Sequence, residues 1–126
     1  MKIIHLLFTL FLVFPLLAQE DVSLQELQLD VENAEDDTSL INAWFELAKY
    51  YDEINVDSSF YFVDRGLELS KEIGDHRKEV NALFQKGIYH YAQADYDHAI
   101  EMFLTTAEKA EEYEYWRRVA TSYQML

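Results

Sequence analysis

The sequence has no cysteine, only three glycines and a single proline in 126 residues. Without cysteine the chain can form no disulfide, thiolate metal site or thiol nucleophile, and it lacks the residue that bacterial lipoproteins modify. The one proline, Pro15, lies near the N-terminus, so little in the rest of the chain interrupts helices. No stretch shows the alternation of apolar and polar residues that is typical of a strand. These absences predict an all-α fold that is held together by core packing alone.

Sequence signatures of catalysis and cofactor binding are also missing. There is no glycine-rich phosphate loop and no nucleophile-elbow sequence, and the acidic clusters lack the ligand order and central glycine of a calcium loop. His76, His90 and His98 are not spaced three or four residues apart on one helix. We therefore expect surface or packing roles for these histidines rather than metal binding. The sequence predicts a protein that is not an enzyme and uses no cofactor or metal.

Basic residues are few, since ten lysines and arginines stand against 24 aspartates and glutamates, which gives a formal net charge of −14 at pH 7. An acidic surface of this kind repels phosphate backbones. We therefore expect no binding to nucleic acid through this chain, and we interpret most of the acidic residues as a solvated surface.

Residues 1–18 have the pattern of a signal peptide. Lys2 gives a basic start, Ile3–Val13 is an apolar run, and Pro15 and Ala18 precede a polar segment. The apolar run is shorter than the roughly 20 residues of a spanning helix. We expect export to a periplasmic or other extracytoplasmic space, with an uncleaved membrane anchor as the alternative. Contact with a membrane is expected only through this segment or through sequence beyond residue 126.

From residue 23 onward, apolar residues recur at helical spacing. Ser23 and Glu26 form a capping box, which predicts an N-terminal helix within residues 19–37. Further helix boundaries are expected at Asp36–Ser39, Asn55–Ser58, Gly74–Asp75 and Trp116. The fourth helix is predicted to bury Val80, Leu83, Phe84, Gly87, Ile88 and Tyr91.

The sequence also repeats. Residues 44–51 align with residues 83–90 at a shift of 39, and residues 59–67 align with residues 99–107 at a shift of 40. Small residues recur at equivalent places: Ala48 with Gly87, Ser59 with Ala99, and Gly66 with Thr106. Two helices approach closely only where side chains are small, so these positions are predicted to be crossings within helical hairpins.

These residues resemble the tetratricopeptide repeat. The strongest match is Gly87–Ala99, where Ala94, Asp95 and Tyr96 stand at the family's glycine, acidic or polar residue and tyrosine, and His90 replaces another tyrosine. The period is longer than the family's usual value of about 34 residues, and it resembles the variety found in exported sensory proteins of bacteria. The resemblance covers residues 38–126, as two hairpins and the start of a third. It implies an antiparallel helix-hairpin α-solenoid that continues beyond residue 126.

The resemblance implies a scaffold that binds a protein or peptide partner, as the extracytoplasmic part of a larger signalling or sensor protein. Two alternatives are a glycan-binding outer-membrane protein with embedded repeats of this kind and a small stand-alone exported assembly protein. The positions that match a concave groove are Asn42, Phe45, Lys49, Asp52, Asn81, Phe84, Ile88 and Tyr91. Simple packing on neighbouring helices is the alternative explanation for Phe45, Phe84 and Ile88.

Overall fold

The computed structural model describes residues 23–126, of which 82% are helical and none lies in a strand. Six helices are formed in this range: α1 (Leu24–Glu32), α2 (Asp37–Tyr51), α3 (Val56–Ile73), α4 (His76–Ala92), α5 (Tyr96–Glu112) and α6 (Trp116–Gln124). Each helix packs against the next one in sequence, which produces a row of helical hairpins. The predicted all-α, helix-hairpin fold is confirmed. The predicted signal peptide, residues 1–18, lies outside the described residues.

Short polar side chains begin four of these helices. Ser23 and Glu26 form the predicted capping box, in which the Ser23 hydroxyl accepts from the Glu26 backbone at 3.3 Å and the Glu26 carboxylate accepts from the Ser23 backbone at 3.2 Å. Asp36, Asn55 and Asp75 each accept a hydrogen bond from the backbone N–H three residues later. Because these bonds satisfy donors that a helix start leaves free, they fix where α1 to α4 begin.

The turns between helices use left-handed backbone at three positions. Gly74 ends α3 with φ of 71°, as its lack of a side chain predicts. Ala94, between α4 and α5, has φ of 58°, and Glu114, between α5 and α6, has φ of 56°. Residues with a Cβ adopt this conformation at a cost. Ala94 stands at the position where the tetratricopeptide resemblance implies a glycine.

Small residues lie where the helices cross, as predicted. Ala48, Gly87 and Ala99 are all buried, and the Ser59 hydroxyl donates to the Ala48 carbonyl oxygen at 2.8 Å, which joins α2 to α3. The two buried helical glycines each face a phenylalanine ring: a Cβ on Gly66 would overlap Phe45, and a Cβ on Gly87 would overlap Phe103. The sizes of these residues therefore set how closely the helices of a hairpin approach.

One part of the predicted core is wrong. Tyr91 is 53% exposed, whereas Tyr89 is 2% exposed and its ring meets the edge of Phe60 at 5.6 Å between centroids. Since α3 covers one side of α4 and α5 covers another, the buried surface of α4 is wider than a single apolar stripe. That surface reaches Tyr89 and leaves Tyr91 outside. Phe84 and Ile88 are only partly buried.

Among the helices of residues 23–126, none is both long enough and apolar enough to cross a membrane.

Candidate binding groove

A cavity of about 210 Å³ opens between α2 and α4, with α3 beneath it. Its lining combines aromatic, amide and charged side chains: Phe45, Glu46, Ala48, Lys49, Val63, Asn81, Ala82, Gln85 and Tyr89. Val63, which α3 contributes, is buried, whereas Glu46 and Lys49 are exposed on α2. The cavity therefore has an apolar floor and a charged rim of both signs.

Three of the eight predicted groove residues, Phe45, Lys49 and Asn81, line this cavity. A fourth, Asn42, lines a second depression of about 430 Å³ between α1 and α2. Glu46 lines both hollows. The cavity and the second depression together form a surface that we call the groove, which runs from α4 across α2 to α1.

The other four predicted residues, Asp52, Phe84, Ile88 and Tyr91, do not line either hollow, and Asp52 is exposed at the end of α2. Phe84 packs beneath the Arg118 guanidinium, 4.2 Å from its ring centroid, and lies 5.4 Å from the Phe103 ring. The packing explanation therefore accounts for Phe84. Tyr91 is exposed and meets Tyr96 at 5.6 Å, and Ile88 is partly buried away from the lining.

Six of the nine lining residues were not among the predicted groove residues: Glu46, Ala48, Val63, Ala82, Gln85 and Tyr89. Two of these, Gln85 and Tyr89, share a helical spacing with Asn81 on α4. Gln85 and Tyr89 follow Asn81 by four and eight residues, so the three side chains share one face of the helix. This spacing was present in the sequence. The face could have been found by extending from Asn81 in steps of four, whereas the predicted set followed the apolar residues Phe84, Ile88 and Tyr91.

The Tyr89 hydroxyl is the unusual group of the cavity. It is buried and has no hydrogen-bond partner within the described residues, although Gln85 lines the same cavity. Burial, followed by the negative charge of Asp52 at the end of α2, raises the pKa of Tyr89 to about 12, and the nearby Gln85 side chain opposes part of this rise. The hydroxyl therefore stays protonated at neutral pH. The O–H group of Tyr89 has no acceptor in hydrogen-bonding geometry among the described residues, although the Gln85 side chain lies nearby, and such buried groups are rare in folded proteins.

Two asparagines of the groove, Asn42 and Asn81, also form hydrogen bonds to the following hairpins. The Lys78 ammonium donates to the Asn42 side-chain oxygen at 2.6 Å, and the Arg118 guanidinium donates to the Asn81 side-chain oxygen at 2.8 Å. Asn42 and Asn81 are equivalent in the repeat, and so are Lys78 and Arg118. The same contact thus links α2 to α4 and α4 to α6.

A second group of polar residues was also missed from the sequence. Candidate ligand atoms of His90, Asp95 and His98 lie within 4.8 Å of one another at the turn between α4 and α5. Sequence spacing relates histidines only within a single helix, whereas these three residues come from two helices and the turn between them. His76 lies apart from them and stacks on Tyr113 at 3.9 Å.

No family model, curated protein or solved structure matches this chain.

Proposed function

We propose that this chain is a protein-interaction scaffold whose groove binds a peptide segment of a partner protein. The observation that carries the proposal is the buried, unpaired hydroxyl of Tyr89 in the wall of the cavity. Leaving such a group without a partner costs about 1–3 kcal/mol. An acceptor on a bound peptide, such as a backbone carbonyl oxygen, would satisfy it.

The chemistry of the lining suits a peptide. Asn81 and Gln85 can each donate to and accept from a peptide backbone, and the partly buried Phe45 ring offers an apolar contact. The volume of about 210 Å³ is below the roughly 300–1,000 Å³ of pockets that enclose a small molecule. The cavity suits one anchoring side chain of a peptide that continues along the groove toward α1.

The wider setting that we propose is the exported portion of a larger bacterial signalling protein. The signal-peptide pattern of residues 1–18 and the resemblance of residues 38–126 to long-period tetratricopeptide repeats support it. Fusion of the chain to a reporter enzyme that is active only outside the cytoplasm tests export. An inactive reporter on a stable fusion would contradict this setting, although it would leave the groove proposal standing.

Selection from a random-peptide phage library on the immobilised full chain tests the groove. We expect enriched peptides whose affinity falls about 2- to 10-fold in Tyr89→Phe, because this variant keeps the ring and removes only the donor. Glu101→Ala, an exposed change on α5, is the matched control and should bind as the parent does. Failure to enrich peptides, or equal affinity for the parent and Tyr89→Phe, would overturn the proposal.

A further inference from the structure

Two imidazoles and a carboxylate converge at the turn between α4 and α5. Asp95 Oδ2 lies 3.0 Å from His90 Nδ1, and both Asp95 carboxylate oxygens lie 2.8 Å from His98 Nδ1. The two imidazole rings stack with their centroids 5.2 Å apart. His90 is partly buried against Phe60, with the ring centroids 4.7 Å apart, whereas the His98 side chain is 63% exposed. One side of the cluster is therefore fixed by packing and the other is open to solvent.

The Asp95 carboxylate does not have the role that its position predicts. Asp95 is the N-cap residue of α5, yet it makes no side-chain capping hydrogen bond. The N-cap side chains of the four preceding helices all make one. The carboxylate is directed toward the two imidazoles, and its hydrogen bonds to them stand in place of a capping bond worth about 1 kcal/mol.

The equivalent turn of the preceding hairpin gives a comparison within the same chain. Asn55 is the N-cap of α3, and its side chain accepts from the Ser58 backbone at 3.1 Å. Asn55 is equivalent to Asp95, Ser58 to His98, and Tyr51 to His90 in the repeat alignment. Each of the three positions thus has a strong metal-ligating residue in the second hairpin and a weak or non-ligating one in the first. The first hairpin therefore does not present this set of ligands at the equivalent turn.

We propose that His90, Asp95 and His98 bind a divalent transition-metal ion of the zinc type. Imidazole nitrogens and carboxylate oxygens bind zinc at about 2.0–2.2 Å, and a set of two imidazoles and one carboxylate favours zinc, copper or nickel over magnesium and calcium. Three protein ligands leave the remaining coordination position to water, on the open side near His98. Because His98 is exposed, its imidazole is free to turn so that an ion replaces its hydrogen bonds to Asp95.

The ion would join the end of α4 to the start of α5 through ligands on both sides of the turn. It would therefore stabilise the second hairpin against opening by mass action. The groove residues of α4 lie on the same helix, since Asn81 and Gln85 precede His90. This site is separate from the groove, and the proposal does not depend on peptide binding.

Isothermal titration of the metal-free full chain with zinc chloride tests the proposal. We expect one ion per chain, with affinity reduced at least about tenfold in His98→Ser, since even groups outside the ligand shell are worth about 10–100-fold. Asp95→Asn should weaken binding as well. Both variants introduce the residue of the equivalent position in the first hairpin, and circular dichroism is used to check that they fold. His76→Ala, which removes a histidine outside the cluster, is the matched control and should bind zinc as the parent does.

A measurement on the unmutated chain provides a second readout. Zinc should shift the imidazole NMR signals of His90 and His98 and leave those of His76 in place, whereas magnesium and calcium at the same concentration should shift none of them. The proposal is overturned if zinc binds without moving these two signals, if His98→Ser binds it as tightly as the parent does, or if the titration shows no binding.

Discussion

Gly87 is the position where a single methyl group should have the clearest effect on stability. A Cβ built at Gly87 would lie 2.7 Å from Cε1, 2.9 Å from Cδ1 and 3.0 Å from Cζ of Phe103. Carbon atoms prefer separations of about 3.5–4.0 Å. Phe103 is 1% exposed, so its ring has no solvent to move into. In Gly87→Ala, the methyl group must therefore push α4 and α5 apart.

Two opposing terms set the size of the effect. Replacing glycine by alanine inside a helix stabilises it by about 1 kcal/mol, whereas overpacking a close contact costs about 1–3 kcal/mol. Because three ring atoms are too close at once, we expect the upper part of that cost. The net expectation is that Gly87→Ala lowers the free energy of unfolding by about 1–2 kcal/mol, or roughly 4–16 °C in the midpoint of a thermal melt.

A double-mutant cycle in urea separates the contact from the helix propensity. Phe103→Leu removes the ring, so in that background Gly87→Ala should be neutral or stabilising by up to about 1 kcal/mol. The interaction energy should be about 1–3 kcal/mol. Equal effects of Gly87→Ala in both backgrounds would refute the reasoning, and so would a more stable single variant.

Gly66→Ala gives a graded comparison. The ring that a Cβ would overlap there, Phe45, is only partly buried and borders the cavity. Because this ring can turn into the cavity, we expect a smaller loss of stability than for Gly87→Ala, together with weaker peptide binding.

Three further predictions concern the second hairpin. Ala94→Gly should raise stability by about 0.5–1 kcal/mol in thermal melts, because φ of 58° is strained for alanine; a lower midpoint would contradict this. Ala99→Leu should cost about 1–3 kcal/mol in urea titrations, since Ala99 is buried at a crossing. Glu101→Ala, on the exposed surface, should change little, and equal stabilities of these two variants would show that the crossing is misplaced. The hydrogen bond to Asp95 and then its charge raise the pKa of His98 above 6.5. The contribution of this contact to the stability of the metal-free fold is therefore complete below pH 6.5, and it is lost as the pH rises through the raised pKa. His98→Ser should accordingly lower the melting midpoint more at about pH 5.5 than at about pH 9. An equal lowering of the midpoint at the two pH values would contradict this prediction.

The hairpins could be predicted from the sequence because their signals are local. Ser23, Asp36 and Asn55 cap helices through bonds to residues three positions away, and Gly74 has the left-handed backbone that only glycine adopts easily. Small residues at Ala48 and Ala99 mark crossings because close approach excludes anything larger. Each of these features depends on a few neighbouring residues, so it can be recognised without knowledge of the tertiary structure.

The groove and the histidine cluster depend on rotation and convergence instead. The burial of Tyr89 rather than Tyr91 follows from how α4 is turned between α3 and α5, which no residue of α4 specifies alone. The cluster depends on the path of the turn that brings Asp95 between His90 and His98. In both cases the residue types were visible in the sequence, whereas their meeting point depends on long-range packing.

The packing of each helix against its neighbours in sequence also has a kinetic consequence. Within residues 23–126, contacts concentrate between consecutive helices, so most contacts close only short loops. Helical proteins of this kind fold in microseconds to milliseconds, because little loop entropy is lost before contacts form. The hairpin of α2 and α3 is complete by residue 73. It can therefore form while later residues are still being synthesised, and each new helix adds to a surface that already exists.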